Sequence, residues 1–164
     1  MATKPDYIDQ LGTLALVSRL RRLLNRMLAE GEKVYKSLDI DFVVSWFPIF
    51  HLLAYRSPLM LTDIAKALGM AHPSVIEVTD EMIRRGFIKS RKSEDDRRCR
   101  HLSLTPKGKK TISKLEPVWE AFRQAGEEIN KESGNNFLEA IKKLELAMER
   151  RSMYERITIR LKKK

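Results

Sequence analysis

Apolar residues recur at three- and four-residue steps from Tyr7 to about Ala29: Leu11, Leu14, Leu20, Leu23, Leu24, Met27 and Leu28, with Arg19, Arg21, Arg22 and Arg26 between them. That period predicts one long amphipathic helix. Gly31 is expected to end or bend it. A second helix is expected over Phe42–Arg56, capped by Asp39 or Asp41, with Pro48 in its first turn or at a kink. Ser57-Pro58 marks a turn. In LTDIAKALGM, Thr62 is the expected N-cap, Ile64, Ala65 and Leu68 form a stripe, and Gly69 is a stop. His72-Pro73-Ser74 opens another helix, because proline is favourable in a first turn. Val75, Val78, Met82 and Ile83 share its apolar face, and Gly86 ends it. Two short helices around a glycine-bearing turn are the pattern of a helix-turn-helix.

The period then switches to two. FIKSRK alternates, SEDDRRCR reads as a turn, and His101–Thr105 alternates again, so a hairpin follows the helix pair as a wing. Pro106 starts a helix through Ile112, Leu115, Val118, Trp119, Phe122 and Ile129. Gly134-Asn135-Asn136 breaks it, and a last helix carries Phe137, Ile141, Leu144 and Met148, extending toward Met153, Ile157 and Leu161. The expected fold class is mainly α with a small β-hairpin wing. Its expected organisation is an N-terminal helical region at 1–37, a winged helix-turn-helix lobe at 38–110 and C-terminal helices at 111–164. The apolar stripes at the two chain ends are expected to pack together and against a second copy, giving a homodimer. A single-chain helical bundle is the alternative.

Composition narrows the class. The chain has 164 residues, 43% of them hydrophobic and 33% charged, the balance of a globular protein. A single Cys excludes an internal disulfide. The most apolar stretch, Phe42–Tyr55, is too short for a membrane-spanning helix, and MATKPDYIDQ has no apolar signal core, so a cytoplasmic protein without a membrane partner is expected. The formal net charge is +10, and it is concentrated. Between Arg84 and Lys114 there are 12 basic and 3 acidic residues, while the remaining 133 residues net only +1. So focused an excess is the footprint of a polyanion binder, although a charge run is also compatible with a solvated face.

In order along the chain, Leu61-Thr62-Asp63-Ile64-Ala65, Leu68-Gly69, Val75, Met82, Arg85-Gly86-Phe87-Ile88, Asp96-Arg97-Arg98 and Leu104-Thr105-Pro106-Lys107-Gly108 resemble the MarR family of winged helix-turn-helix regulators over about Leu38–Gly108. The resemblance implies a homodimeric, sequence-specific transcription regulator, more often a repressor, on a near-palindromic operator in double-stranded DNA. It implies that Arg98 reaches from the wing into the minor groove and that Asp96 orients it. An arginine suits that narrow, negative groove. Arg97 and Arg100 would be phosphate contacts or solvated residues.

The resemblance also places the helix from His72 in the major groove, where it would expose His72, Ser74, Ile76, Glu77 and Thr79. His72 reads equally as a DNA contact or a turn residue, and Ser74 as a DNA donor or a helix cap. Ile76 and Glu77 depart from the usual family pattern. They suit a thymine methyl and a cytosine N4 amino group, or they simply avoid the DNA. Trp46, Phe47, Phe50 and His51 fall where some relatives bind small aromatic or phenolic effectors. The residue types alone fit core packing as well. Cys99 reads as an incidental wing residue.

The isolated His51, His72 and His101 offer no metal spacing, there is no phosphate loop, and no nucleophile–base arrangement can be assembled. The chain therefore reads as a non-enzyme with no cofactor and no metal. A winged-helix protein-interaction module without DNA binding is the alternative function, and Glu77 is the residue that keeps it open.

Overall fold

A computed structural model describes residues 6–92 and 100–162. It divides into two compact units, with the boundary inside one helix, between Lys114 and Leu115.

The first unit begins with a short helix α1 (Tyr7–Gln10), capped by the Asp6 carboxylate, which accepts from the Asp9 N–H. A 3-10 turn over Gly12–Ala15 leads into α2 (Leu16–Ser37). The single helix expected from Tyr7 is thus broken early, at Gly12 with φ +53°, and it continues past Gly31, which lies buried within α2. The end comes at Asp39 instead. Asp39 takes φ 52°, its N–H donates to the Lys36 carbonyl, and the Ile40 N–H donates to the Tyr35 carbonyl. This is the paired bonding of a Schellman terminus, with Asp where glycine is usual. Asp39 therefore closes one helix rather than capping the next.

That next helix also starts later than its pattern predicts. Val44–Trp46 form a 3-10 turn, and α3 runs Phe47–Arg56 with Pro48 in its first turn, not at a kink. After Ser57-Pro58 comes a strand without a sequence signal, β1 (Leu59–Met60). It leads directly into α4 (Leu61–Leu68), so Met60 is the N-cap and Thr62 lies inside the helix with no capping role. Gly69, at φ 60°, ends α4 as expected. Then follow α5 (His72–Arg84), β2 (Ile88–Lys92), β3 (Arg100–Leu104) and the start of α6 (Pro106–Glu132).

The sheet order is β1-β3-β2, with both pairings antiparallel. Ile88 faces Leu104 and Ser90 faces Leu102, and Leu59 also pairs with Leu102. The inward alternation buries Ile88, Leu102 and Leu104 with Ile49, Phe50, Leu53, Ile64, Val75, Met82 and Phe87. Tyr35, Phe42, Trp46, Phe50 and Phe87 form an edge-to-face aromatic cluster with centroids 5.2 to 6.4 Å apart, a favourable geometry.

The second unit holds the rest of α6, α7 (Phe137–Arg150) and α8 (Met153–Leu161). The expected last helix is therefore two. Ser152 begins α8 with a reciprocal capping box to Glu155, and the Arg156 guanidinium donates to the Ala147 and Arg151 carbonyls at the end of α7. Asn130 caps the turn before α7, accepting from the Phe137 and Leu138 N–H groups. Neither α7 nor α8 has a buried residue. Leu138, Leu146, Tyr154, Ile157 and Leu161 are among their exposed apolar side chains. Among the described residues, no helix is long and apolar enough to cross a membrane.

Candidate nucleic-acid interface

The helix-turn-helix is made of α4 and α5. Gly69 turns the chain left-handed, the Met70 N–H donates to the Ala65 carbonyl, and Ala71 serves as the N-cap of α5. Pro73 occupies the first turn of α5, where its missing N–H costs nothing. The cap makes no side-chain bond, so Ser74 is not a helix cap; its hydroxyl lies on the exposed first turn. His72, Ile76 and Glu77 are exposed as well. Thr79 is not. It is 2% exposed, on the same side as Val75 and Met82, and its hydroxyl donates to the Ile76 carbonyl. One turn after Val75, it faces the core, and it leaves the set of candidate contacts.

The C-terminal end of α5 is held by a polar hub that the sequence did not reveal. Arg85 donates to Asp41 and Glu81, both at 2.9 Å, and its guanidinium lies 4.9 Å from the Trp46 ring centroid. The other Glu81 oxygen accepts from the fully buried Trp46 Nε1 at 3.2 Å. Lys107 donates to the Arg85 carbonyl at 2.8 Å, lies 3.7 Å from Asp41 and sits 4.2 Å from the Phe87 ring centroid. Two cations of the basic window therefore serve the fold.

The wing is anchored by Thr105. Its hydroxyl donates to the Gly86 carbonyl at 2.6 Å and the Phe87 carbonyl at 3.2 Å, and accepts from the Gly108 N–H at 3.0 Å. The Leu-Thr-Pro-Lys-Gly sequence thus ties β3 and the start of α6 to the end of α5. Outward from this anchor, Lys89, Arg91 and Arg100 are exposed on the hairpin strands, and Lys109 and Lys110 on α6. Asp96, Arg97 and Arg98 lie outside the described residues.

The four aromatic candidates separate. Trp46 and Phe50 are fully buried in the aromatic cluster and present no surface to a ligand. Phe47 is 37% exposed and His51 exposed, their rings in a row with Tyr55 at 5.2 and 4.8 Å. Core packing is the correct reading of Trp46 and Phe50. Among the described residues, no group of three or more His, Cys, Asp or Glu is placed to hold a metal.

Residues 46–100 match the model of the MarR family. The transcriptional repressor MprA of Escherichia coli K12 is 28% identical over 103 residues, which is 62% of this chain and 58% of that relative's length. The fold is shared with the DNA complex of Staphylococcus aureus MepR, at a TM-score of 0.66 and 20% identity over 80% of this chain and 96% of that one. It is shared also with the transcriptional repressor CouR bound to a 23-mer DNA duplex, at 0.63 and 20% over 90% and 99%.

Proposed function

We propose that this chain, which belongs to the MarR family, is a sequence-specific DNA-binding transcriptional repressor that acts in the cytoplasm as a homodimer on a near-palindromic operator. The observation that carries this reading is the joining of an exposed α5 face to a basic hairpin. The chain's charge excess falls on Arg84–Lys114, the segment that contains that hairpin. The repressor MprA and the DNA complexes of MepR and CouR support it. On this reading α5 lies in the major groove, with His72 and Ser74 near the backbone. Arg98 enters the minor groove with Asp96 orienting it, and Arg97 and Arg100 meet phosphates.

Dimerisation rests on surface left over in a single chain. Val17, Leu20, Leu23, Leu24 and Met27 of α2 are 42% to 71% exposed, and neither α7 nor α8 has a buried residue. Apolar area of that extent marks an association surface. A second copy supplies the matching surface under two-fold symmetry. For release by a small aromatic effector, Phe47, His51 and Tyr55 supply the exposed rings.

The test is binding to the DNA upstream of the chain's own gene over a salt series, with light scattering on the same preparation. Dimer mass is expected, with log affinity falling linearly against log salt at a slope of roughly −6 or steeper. Half-site centres should lie about 10 bp apart. Monomer mass at micromolar concentration refutes the dimer, and a flat salt dependence refutes phosphate-led binding.

A further inference from the structure

The exposed side of α5 has an unusual composition for a helix that faces a polyanion. Burial runs along Val75, Thr79 and Met82. The opposite side carries Pro73, Ile76, Glu77, Asp80 and Arg84 at three- and four-residue steps, all exposed. From His72 to Asp80 there is no Lys, Arg, Asn or Gln. Among the described residues, no hydrogen bond or ion pair occupies the Glu77 or Asp80 carboxylate, whereas the neighbouring Glu81 is engaged by Trp46 and Arg85.

A carboxylate only accepts hydrogen bonds, and phosphates repel it. Glu77 is therefore tolerated in a major groove only where a base donor offsets that repulsion. Cytosine presents its N4 amino group there. Adenine offers an amino donor too, but with the N7 acceptor beside it, which a carboxylate meets unfavourably. Ile76 adjoins Glu77, is 37% exposed and has no polar atom on its side chain, so its match is the thymine C5 methyl. Asp80 lies one turn further from the helix N-terminus, where base contacts concentrate, and is one methylene shorter. Its effect is repulsion of misplaced backbone.

Building on the DNA-binding reading above, we propose that Glu77 is a specificity-determining residue of this protein. It selects a cytosine in each half-site, next to a thymine packed on Ile76, and Asp80 lowers affinity for all other registers. Affinity then has to come from the basic hairpin, and α5 acts mainly by rejecting wrong sequences.

The experiment is selection from a random duplex pool by the full chain and its Glu77→Gln, Glu77→Ala and Asp80→Asn variants, each with a matched thermal melt. Titrations of the selected duplex and its single-position variants follow, at one fixed salt. The wild type should enrich a cytosine with an adjoining thymine, and replacing that C·G pair by T·A should weaken binding about tenfold. Glu77→Gln should move the preference at that position toward adenine, which glutamine contacts through N6 and N7, and Glu77→Ala should reduce it to about twofold or less. Asp80→Asn should raise affinity for unselected duplexes more than for the selected one without changing the preferred base, and an equal rise for both would remove Asp80 from the proposal. Identical base preferences in the wild type and Glu77→Ala overturn the proposal while leaving DNA binding intact. A wild type that enriches no sequence overturns the sequence-specific reading itself, and the proposal with it.

Discussion

Gly108→Ala is the substitution for which the fold makes the sharpest forecast. Gly108 sits in the first turn of α6, buried against the end of α5. A Cβ there would lie 2.2 Å from the Phe87 carbonyl oxygen, 3.2 Å from its carbon and 3.4 Å from the Leu104 Cβ. Since close carbon–oxygen contacts are about 3.3 Å, one partner has to move by roughly 1 Å. Neither moves freely. The Phe87 oxygen accepts from the Thr105 N–H at 3.0 Å and from the Thr105 hydroxyl. The Phe87 ring is 1% exposed within the aromatic cluster. Overpacking costs about 1–3 kcal/mol, and weakening these two hydrogen bonds adds about 0.5–1.5 each. Helix propensity returns about 1 kcal/mol. The net is about 1–5 kcal/mol of destabilisation. For a chain of this length, that lowers the melting temperature by roughly 2–20 °C. Circular dichroism melts of both proteins at one fixed concentration measure it, because association makes the melting temperature depend on concentration. In an ordinary helix the same change stabilises, so a melting temperature at or above the wild type would refute the packing argument by its sign.

Glu81→Ala removes the acceptor of the buried Trp46 indole N–H and should cost about 1–3 kcal/mol in urea titration; an unchanged midpoint would show that the bond at 3.2 Å contributes nothing. Arg98→Ala should weaken operator binding about tenfold or more at an unchanged melting temperature, by analogy with the loss of a good base contact, and equal affinity would remove the wing from recognition. Backbone and side-chain hydrogen bonds from Ser152 hold the Glu155 carboxyl below its ordinary value of 4.5, with Arg151 and Arg156 nearby adding to the effect. A depressed folded-state value stabilises above the unfolded value and is lost as pH falls through the folded one. The helicity contributed by α8 should therefore decline below about pH 4.5 in the wild type and be insensitive to acid over that range in Glu155→Gln.

Local rules read α5, the hairpin and Gly69 correctly, because each is fixed by residues close in sequence. The misses share a cause in distant partners. β1 has no pattern of its own; Leu59 and Met60 are extended because β3 pairs with them, and that pairing sets the start of α4 one residue before Thr62. Gly31 looked like a stop only because its burial was invisible, and Asp39 resembled an N-cap because aspartate also tolerates a left-handed terminus. The hub joins the i,i+4 pair Glu81–Arg85 to Asp41 and Lys107, which lie far from it in the chain, so no spacing announces the whole. Trp46 and Phe50 were candidate ligand residues by type, whereas Thr79 was one by position. Burial withdraws all three.

Affinity and selectivity come from different residues on the proposed DNA surface, and salt distinguishes them. Two of the cations in the Arg84–Lys114 window, Arg85 and Lys107, are occupied internally. The exposed face of α5 up to Asp80 carries two carboxylates and no arginine or lysine. Phosphate neutralisation then falls to residues such as Arg91, exposed on β2 opposite His101. Each phosphate contact contributes about 0.9 to the slope of log affinity against log salt. Arg91→Ala acts in both subunits of a dimer, so it should flatten that slope by up to about 2 while leaving the order of preferred bases unchanged. Glu77→Gln should do the reverse, altering base preference at constant slope. An Arg91→Ala protein with a wild-type slope would place the backbone contacts elsewhere. A Glu77→Gln protein with a changed slope would mean that this carboxylate faces phosphate rather than a base.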